Sequence, residues 1–508
     1  MARRGDSMTY GTALLTFSGL FGQLVGFFYR IALSRLIGSE LMGLYQLIMP
    51  VYSVLSSLTA AGLTVAASTL SARYAARSDL GSVRQVRRSC LHIFFLLLAP
   101  LAVVTVLLSD PISVYVLGDA RTRLGLCLLL PCLLLTGIEN LQKHCFFGTG
   151  RVTPPALCEM AEQVIRALAV LGFLLILRPR TGEGTVGAIV LGMCACEVFS
   201  ATALTALFRR YMGHGPLGRL EPRALRGEIA RIAVPVGATA LLGNLMGSAN
   251  AILIPQLLVK GGATVSEAMS DFGIVNGMTL PMLLMPSAFI GALGLVLVPK
   301  LAQTSSLGRE GETRAQLNRA VNATSLLILP AMALLCVIGP TLGTLLFNEP
   351  KAGQHIFPLA VGVALSCYQA VLGSALNGLA RQRAAARNML ISDGVQLAFT
   401  WFLVGDPRIG MAGYVTGLWV SSLVGAWLNW WDIRRCSGIR ADTFTALVAP
   451  GLGSLLMGLC CRLLFHKLLD TGLGALWSCV STSAFGIVLY LAALQAQGVG
   501  RGLLRPRT

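Results

Sequence analysis

Leu91–Val116 reads LHIFFLLLAPLAVVTVLLSDPISVYV, and its first nineteen residues, as far as Ser109, contain no aspartate, glutamate, lysine or arginine. About 20 mostly apolar residues in a helix cover the ~30 Å of hydrocarbon in a bilayer. Arg84, Arg87 and Arg88 stand just before the run. An uncharged run with arginines at one end reads as a membrane span whose basic end faces the cytoplasm.

The same pattern recurs along the 508 residues. Before this run lie apolar stretches near Tyr10–Phe28 and Leu44–Thr64, and after it Leu124–Phe146, Pro155–Ile176 and Ala188–Phe208. A second series follows at Ile232–Leu253, Phe272–Val298, Thr324–Phe347, Phe357–Leu376, Met389–Val404 and Gly413–Trp431. Phe444–Phe465 and Leu473–Leu494 close the chain. The expected fold is an all-α polytopic membrane protein of about 14 transmembrane helices.

Composition agrees with that reading. Hydrophobic residues make up 55% and charged residues 12%, against about 25% charged in soluble domains. Mean hydropathy is +0.72. The net charge of +18 raises nucleic acid as a partner, and the placement of the charges excludes it. With a cytoplasmic N-terminus, about 28 of the 40 basic residues fall in the tails and in every second gap, among them Arg73, Arg77, Arg209, Arg219, Arg383 and Arg434. About eight fall in the other gaps, such as Arg121, Lys260 and Arg408. Both termini are therefore expected in the cytoplasm, and the basic loops suit an anionic lipid surface. No small-residue cleavage site follows the first apolar run, so it is expected to be a retained helix rather than a signal peptide. The 13 cysteines lie mostly inside expected spans without histidine or carboxylate at metal-ligand spacing. Packing is their expected role, with no metal site.

The longest gap, Arg209 to Arg231, carries glycine and proline and divides six spans from six. The expected division is residues 1–212, a six-helix lobe; residues 213–436, a second six-helix lobe; and residues 437–508, two additional helices and a tail. An internal repeat supports it. FFGTGRVTPPALCEMAEQVIR places Gly148, Arg151 and Glu162 where LNGLARQRAAARNMLISDGVQ places Gly378, Arg381 and Asp393. Six is even, so a duplicated lobe keeps its orientation in the membrane.

Pro50, Pro235, Pro281 and Pro286 lie inside expected spans, where proline removes a backbone hydrogen bond and bends the helix. They are the expected kink and gating positions. Ionisable groups at bilayer depth are costly and mark cavities or partners. Those here are Arg30, Glu139, Glu159, Glu162, Arg166, Glu197, Asp393 and Arg462. Glu162 and Arg166 stand four apart, acid first, which suits an ion pair on one helix face. The five histidines are scattered, and no phosphate loop or paired carboxylates in a polar loop are present. Neither catalysis nor a cofactor is expected.

Gln23-Leu-Val-Gly-Phe-Phe-Tyr-Arg30, Ser34-Arg35-Leu-Ile-Gly38 and Gly43-Leu-Tyr45-Gln resemble the start of the stage V sporulation protein B family. Glu162-Gln163-Val-Ile-Arg166, Arg231-Ile-Ala-Val-Pro235 and Leu297-Val-Pro299 extend the likeness over nearly the whole chain. That family belongs to the multidrug/oligosaccharidyl-lipid/polysaccharide flippase superfamily. The resemblance implies two six-helix lobes around a central cationic cavity that opens to alternate sides of the bacterial cytoplasmic membrane. The implied substrate is an undecaprenyl-pyrophosphate-linked oligosaccharide or peptidoglycan precursor, carried by a monomer, with a coupling cation as a further partner. Arg30, Glu162, Arg166 and Asp393 become the substrate-cavity residues, and Arg462 marks a groove for the lipid tail between the last two helices. Gln23 and Thr64 depart from the residues common in relatives, and Pro281 stands where lipid II flippases carry an arginine; these departures favour the sporulation-type branch. The rival expectation is a cation-coupled multidrug or small-solute antiporter. That rival requires a buried acid in the first helix, and Tyr10–Arg35 has none.

Overall fold

The computed structural model describes residues 8–213, 215–437 and 447–497. The expected cytoplasmic tails, His214, Arg440 and the first residues of the stretch beginning at Phe444 lie outside them. Helix α1 (Met8–Ser56) passes through a π-helical turn at Ser57–Ala61 into α2 (Gly62–Ala75). The 63 residues from Ala13 to Ala75 would make a straight helix of about 95 Å, three times a bilayer core. Gly38, at φ 79° and ψ 176°, breaks the run; that backbone geometry suits glycine alone.

Helices α3 (Leu80–Leu107), α4 (Arg123–Gly148), α5 (Thr153–Leu177), α6 (Gly182–Met212) and α7 (Pro222–Lys260) follow. Asp79 caps α3 by accepting from the Ser82 N–H at 2.9 Å, and Thr181 caps α6 by accepting from the Gly184 N–H at 3.1 Å. A short helix at Val265–Phe272 runs into a π-helical segment at Gly273–Thr279 and one α-turn at Leu280–Leu284. Then come α8 (Ala288–Ser306), α9 (Glu310–Phe347), α10 (Ile356–Gly378), α11 (Gln382–Leu403), α12 (Met411–Ser437), α13 (Ala449–Asp470) and α14 (Ala475–Ala496). The described residues contain no strand.

Twelve runs among the described residues are long and apolar enough to cross a membrane, two fewer than the expected count of about fourteen. One shortfall arises because the expected spans Tyr10–Phe28 and Leu44–Thr64 share a single run, on either side of Gly38. The other is α11, whose buried face is Asn388, Ser392, Gln396 and Thr400. These uncharged polar groups recur every four residues on one helix face, so they lower the hydropathy of a helix whose polar side meets protein.

The chain divides into two compact units, Met1–Gln256 with Thr264–Ser270, and Leu257–Ala263 with Asp271–Thr508. In the first, Phe94 of α3, Phe146 of α4 and Phe208 of α6 are buried in one apolar cluster with Leu70 of α2 and Ile229 of α7. A Cβ on Gly137 would stand 2.0 Å from Phe94 Cζ, so α4 approaches α3 only because that residue is glycine. In the second unit, α13 and α14 close on α9. Met457, Cys461, Tyr490 and Leu494 pack with Leu326, Leu334 and Val337, and Phe465 and Cys479 meet Ile338.

The two units share backbone detail at a constant spacing (381 − 151 = 230). At the end of α4, the Gly150 N–H donates to Phe147 O and the Arg151 N–H to Phe146 O; at the end of α10, the Ala380 N–H donates to Asn377 O and the Arg381 N–H to Leu376 O. Gly148 lies against the Ser68 carbonyl and Ser71, and Gly378 lies against the Val298 carbonyl and Leu301. Ser78 and Gly308, 230 apart again, both take a left-handed conformation at helix ends. The same numerical offset therefore runs from α2 and α8 through α4 and α10.

Candidate functional site

Three helices of the first unit contribute the acids and bases of one buried network. On α4, Glu139 and Lys143 stand four residues apart, with Lys143 Nζ 3.2 Å from Glu139 Oε1. Lys143 also lies 3.8 Å from Glu159 Oε2 on α5. One turn beyond Glu159, Glu162 pairs with Arg166, as the four-residue spacing predicts. The same Arg166 Nη2 reaches Glu197 Oε1 of α6 at 3.2 Å. Ser200 of α6 donates its hydroxyl to Glu162 Oε2 at 3.0 Å. Glu139, Glu162 and Glu197 are 2%, 4% and 2% exposed. Such charges persist inside a protein only when paired and hydrogen-bonded.

Glu162, Cys196 and Glu197 bring possible metal-ligand atoms within 4.8 Å of one another. Arg166 occupies that role itself, since it pairs with both acids and donates from Nε toward Cys196 Sγ at 3.4 Å. The guanidinium supplies the positive charge a metal ion would bring.

Arg30 of α1 has no ion pair with a described residue. It lies within electrostatic range of the Tyr29 and Tyr45 hydroxyl groups, which Arg166 also reaches. The fold thus draws Arg30, Glu162 and Arg166 toward one region of the first unit.

Asp393 is half-buried on α11 in the second unit. The match of Glu162 with Asp393 at a spacing of 231 is corrected by the backbone spacing of 230. The counterpart of Glu162 is Ser392, and both are buried. One residue along an α-helix turns the side chain by about 100°, so Asp393 faces a different direction. The counterparts of Glu139 and Arg166 are Gln369 and Gln396. In the second unit Gln369 Nε2 donates to Ser392 Oγ at 3.0 Å, and Ser421 Oγ donates to Gln396 Oε1 at 3.0 Å. Neutral residues hold these three positions in the second unit, and the ion pair there, Arg387 of α11 with Asp432 of α12 at 2.6 Å, stands at other positions.

The four prolines have unlike settings. The carbonyl of Pro50 accepts from Ser248 Oγ of α7 at 3.1 Å, and that of Pro235 from Thr239 Oγ1 at 3.0 Å. Pro281 begins the single α-turn after the π-helical segment. Pro286 sits in the turn that separates this segment from α8. The eighth expected span, Phe272–Val298, is therefore interrupted rather than bent.

An apolar cavity of about 590 Å³ lies in the second unit, walled by Met332 of α9, Val361 and Tyr368 of α10, Ala426 of α12, and Leu447 and Gly451. Arg462 is exposed on α13, eleven residues or about 16 Å beyond Gly451 along the helix axis, and does not line it. In the sequence Glu139 and Glu197 stand out as intramembrane acids, with nothing to join them to the expected cavity residues. The Glu139–Lys143 spacing was the available signal; the Arg166–Glu197 contact crosses two helices and leaves no spacing in the sequence.

A helical membrane protein with duplicated units and buried charges linked across helices has the build of a membrane transporter. The chain belongs to the polysaccharide biosynthesis protein family, whose profile matches residues 8–305. It is similar to stage V sporulation protein B of Bacillus subtilis, at 24% identity over 82% of each chain. It is also similar to the lipid II flippase MurJ of Bacillus subtilis, at 21% identity over 84% of this chain and 82% of that one. Among solved structures it resembles the lipid II flippase MurJ in an inward closed conformation, with a TM-score of 0.72 at 12% identity, covering 97% of this chain and all of that one. An inward-facing multidrug resistance MATE family transporter of the MOP superfamily matches with a TM-score of 0.68 at 14% identity, over 85% of this chain and 100% of that one. The protein is a multi-pass membrane transporter of the flippase type with the fold of that superfamily.

Proposed function

We propose that the chain carries a polyprenyl-pyrophosphate-linked oligosaccharide or peptidoglycan precursor across the bacterial cytoplasmic membrane by alternating access, with both termini in the cytoplasm. The observation that carries this reading is the likeness to stage V sporulation protein B and to a lipid II flippase over more than four-fifths of each chain. Two features of the site support it. Arg30, without an ion pair among the described residues, offers a guanidinium to a pyrophosphate, which such a group binds through charge-assisted and often bidentate hydrogen bonds. The cavity of about 590 Å³ has an apolar lining and suits part of a polyprenyl chain, within the usual 300–1,000 Å³ of ligand pockets. Pro50 and Pro235 serve as bending points within helices in this reading, Pro281 and Pro286 mark the interrupted eighth span as a gating segment, and the duplicated lobes with a final helix pair remain its architecture.

A second reading, a cation-coupled antiporter, draws on the MATE likeness and on the buried acids. It is the weaker, because that likeness is one of fold at 14% identity whereas the sequence relatives are a sporulation protein and a flippase. Mass spectrometry of lipid co-purified with the protein separates the two. A polyprenyl-pyrophosphate glycolipid supports the first; lipid-free protein that transports cationic dyes in vesicles overturns it.

A further inference from the structure

The buried acids and bases joined in this one network do not balance. Glu139, Glu162 and Glu197 are buried carboxyls, and Lys143 and Arg166 are the two cations among them. With every group ionised, the buried set carries three negative charges against two positive. Glu159, whose side chain is 38% exposed, is not part of this buried set.

The place where the balance fails is visible in the geometry. Arg166 engages Glu197 Oε1, whereas Glu197 Oε2 is buried with no donor from the protein. The Glu197 carboxyl lies within hydrogen-bonding reach of the Glu139 carboxyl. Two ionised carboxylates are both acceptors and repel each other; a close buried carboxyl pair is stable when one proton lies between them. We propose that Glu139 and Glu197 share one exchangeable proton, so that this carboxyl pair is a proton-binding site of the transporter.

One proton brings the buried set to neutrality. A route for exchange is also present, since Glu159, Lys143 and Glu139 follow one another from the partly exposed side of α5 inward. The titratable and charged groups facing the pair come from four helices. They are Tyr52 of α1, Cys132 and Lys143 of α4, Cys158, Glu162 and Arg166 of α5, and Cys194 and Cys196 of α6. Because such groups interact, the proton belongs to the pair rather than to either residue.

The second unit shows that the scaffold does not require these charges. Gln369 stands at the position of Glu139, Ser392 at that of Glu162 and Gln396 at that of Arg166 (each 230 residues on). The second unit has an ion pair of its own, Arg387–Asp432, but at other positions, so charges at the Glu139, Glu162 and Arg166 positions of one copy alone point to a role beyond the shared packing.

The test is infrared difference spectroscopy on the full chain in lipid nanodiscs, titrated in pH without sodium and then with sodium at fixed pH. At neutral pH a carbonyl band of a protonated carboxylic acid is expected, lost as pH rises and unaffected by sodium. Glu197→Gln should remove that band, and so should Glu139→Gln, the substitution that the second unit already carries at its equivalent position. Both variants are near-isosteric, and size-exclusion profiles matching the parent show that they remain folded. The band surviving in both folded variants, or absent from the parent at every pH between 5 and 9, overturns the proposal. Displacement of the band by sodium assigns the site to a metal cation instead and overturns it as well. No glycolipid enters the measurement, so its outcome is independent of the substrate reading.

Discussion

Arg166 and Glu197 meet across the α5–α6 interface at 3.2 Å, and through that contact the Glu162–Arg166 pair within one helix becomes part of a three-helix network. Removing the guanidinium strands two buried acids rather than one. Breaking a buried pair from one side costs about 3–5 kcal/mol. Arg166→Ala should therefore lower the folded yield in membranes sharply, read by fluorescence-detected size-exclusion chromatography. Glu162→Ser with Arg166→Gln, which copies the neutral residues of the second unit, should recover most of that yield. Equal yields for Arg166→Ala and the parent would show that the network does not hold the fold.

Arg30 is expected to matter for transport and not for folding, because it has no ion pair among the described residues to lose. Arg30→Ala should reach normal membrane levels and fail to complement a flippase-depleted strain, whereas Arg30→Lys should retain part of the activity by keeping the charge. Full complementation by the alanine variant removes Arg30 from the substrate site.

Topology is open to direct measurement. Arg77, Arg219 and Arg383 should face the cytoplasm, and Asp119, Lys260, Lys351 and Asp406 should face outward. Single cysteines at these positions, on a cysteine-depleted background, are to be labelled with an impermeant reagent in intact cells. Labelling at position 219 before lysis reverses the assigned orientation.

The apolar cavity of the second unit offers a separation of fold from lipid binding. Val361 lines it and is 37% exposed, so Val361→Trp should occupy free space with little strain on the core. The variant is expected to retain its melting midpoint while binding long-chain polyprenyl phosphate more than tenfold more weakly than the parent. Truncation after Gly438 is a harsher change. It strips Met457, Cys461 and Phe465 from α9 and should destabilise the second unit; a truncated protein of parental stability would show that the last two helices are dispensable for packing.

Asp79 provides a check remote from the site. The Ser82 hydroxyl and N–H hold its carboxyl below the usual carboxylate range. A lowered folded-state value contributes stability at neutral pH that is lost as pH falls through the carboxylate range. Asp79→Ala should cost about 0.5–1 kcal/mol by removing the cap of α3, read as a lower melting midpoint near pH 7. The difference from the parent should shrink toward pH 3.

The membrane class, the helical content and most of the span positions follow from the sequence alone. An apolar run such as Leu91–Ser109 has one favourable solvent, and an isolated helix in lipid must satisfy its backbone within itself. The Glu162–Arg166 pair was equally legible, because four residues on one helix define neighbours whatever the rest of the chain does. Tertiary structure decided the remainder. Hydropathy does not register that the polar face of α11 is turned to protein, nor that the helix through Gly38 bends rather than ends. Gly148 with Gly378 and Arg151 with Arg381 give the spacing of 230 in the sequence, and the shared capping hydrogen bonds repeat it, which leaves Asp393 one residue away from the position matching Glu162. The approach of Glu139 to Glu197 is a contact between α4 and α6, fixed by how those helices pack. Its excess charge appears only when side chains distant in sequence are buried together.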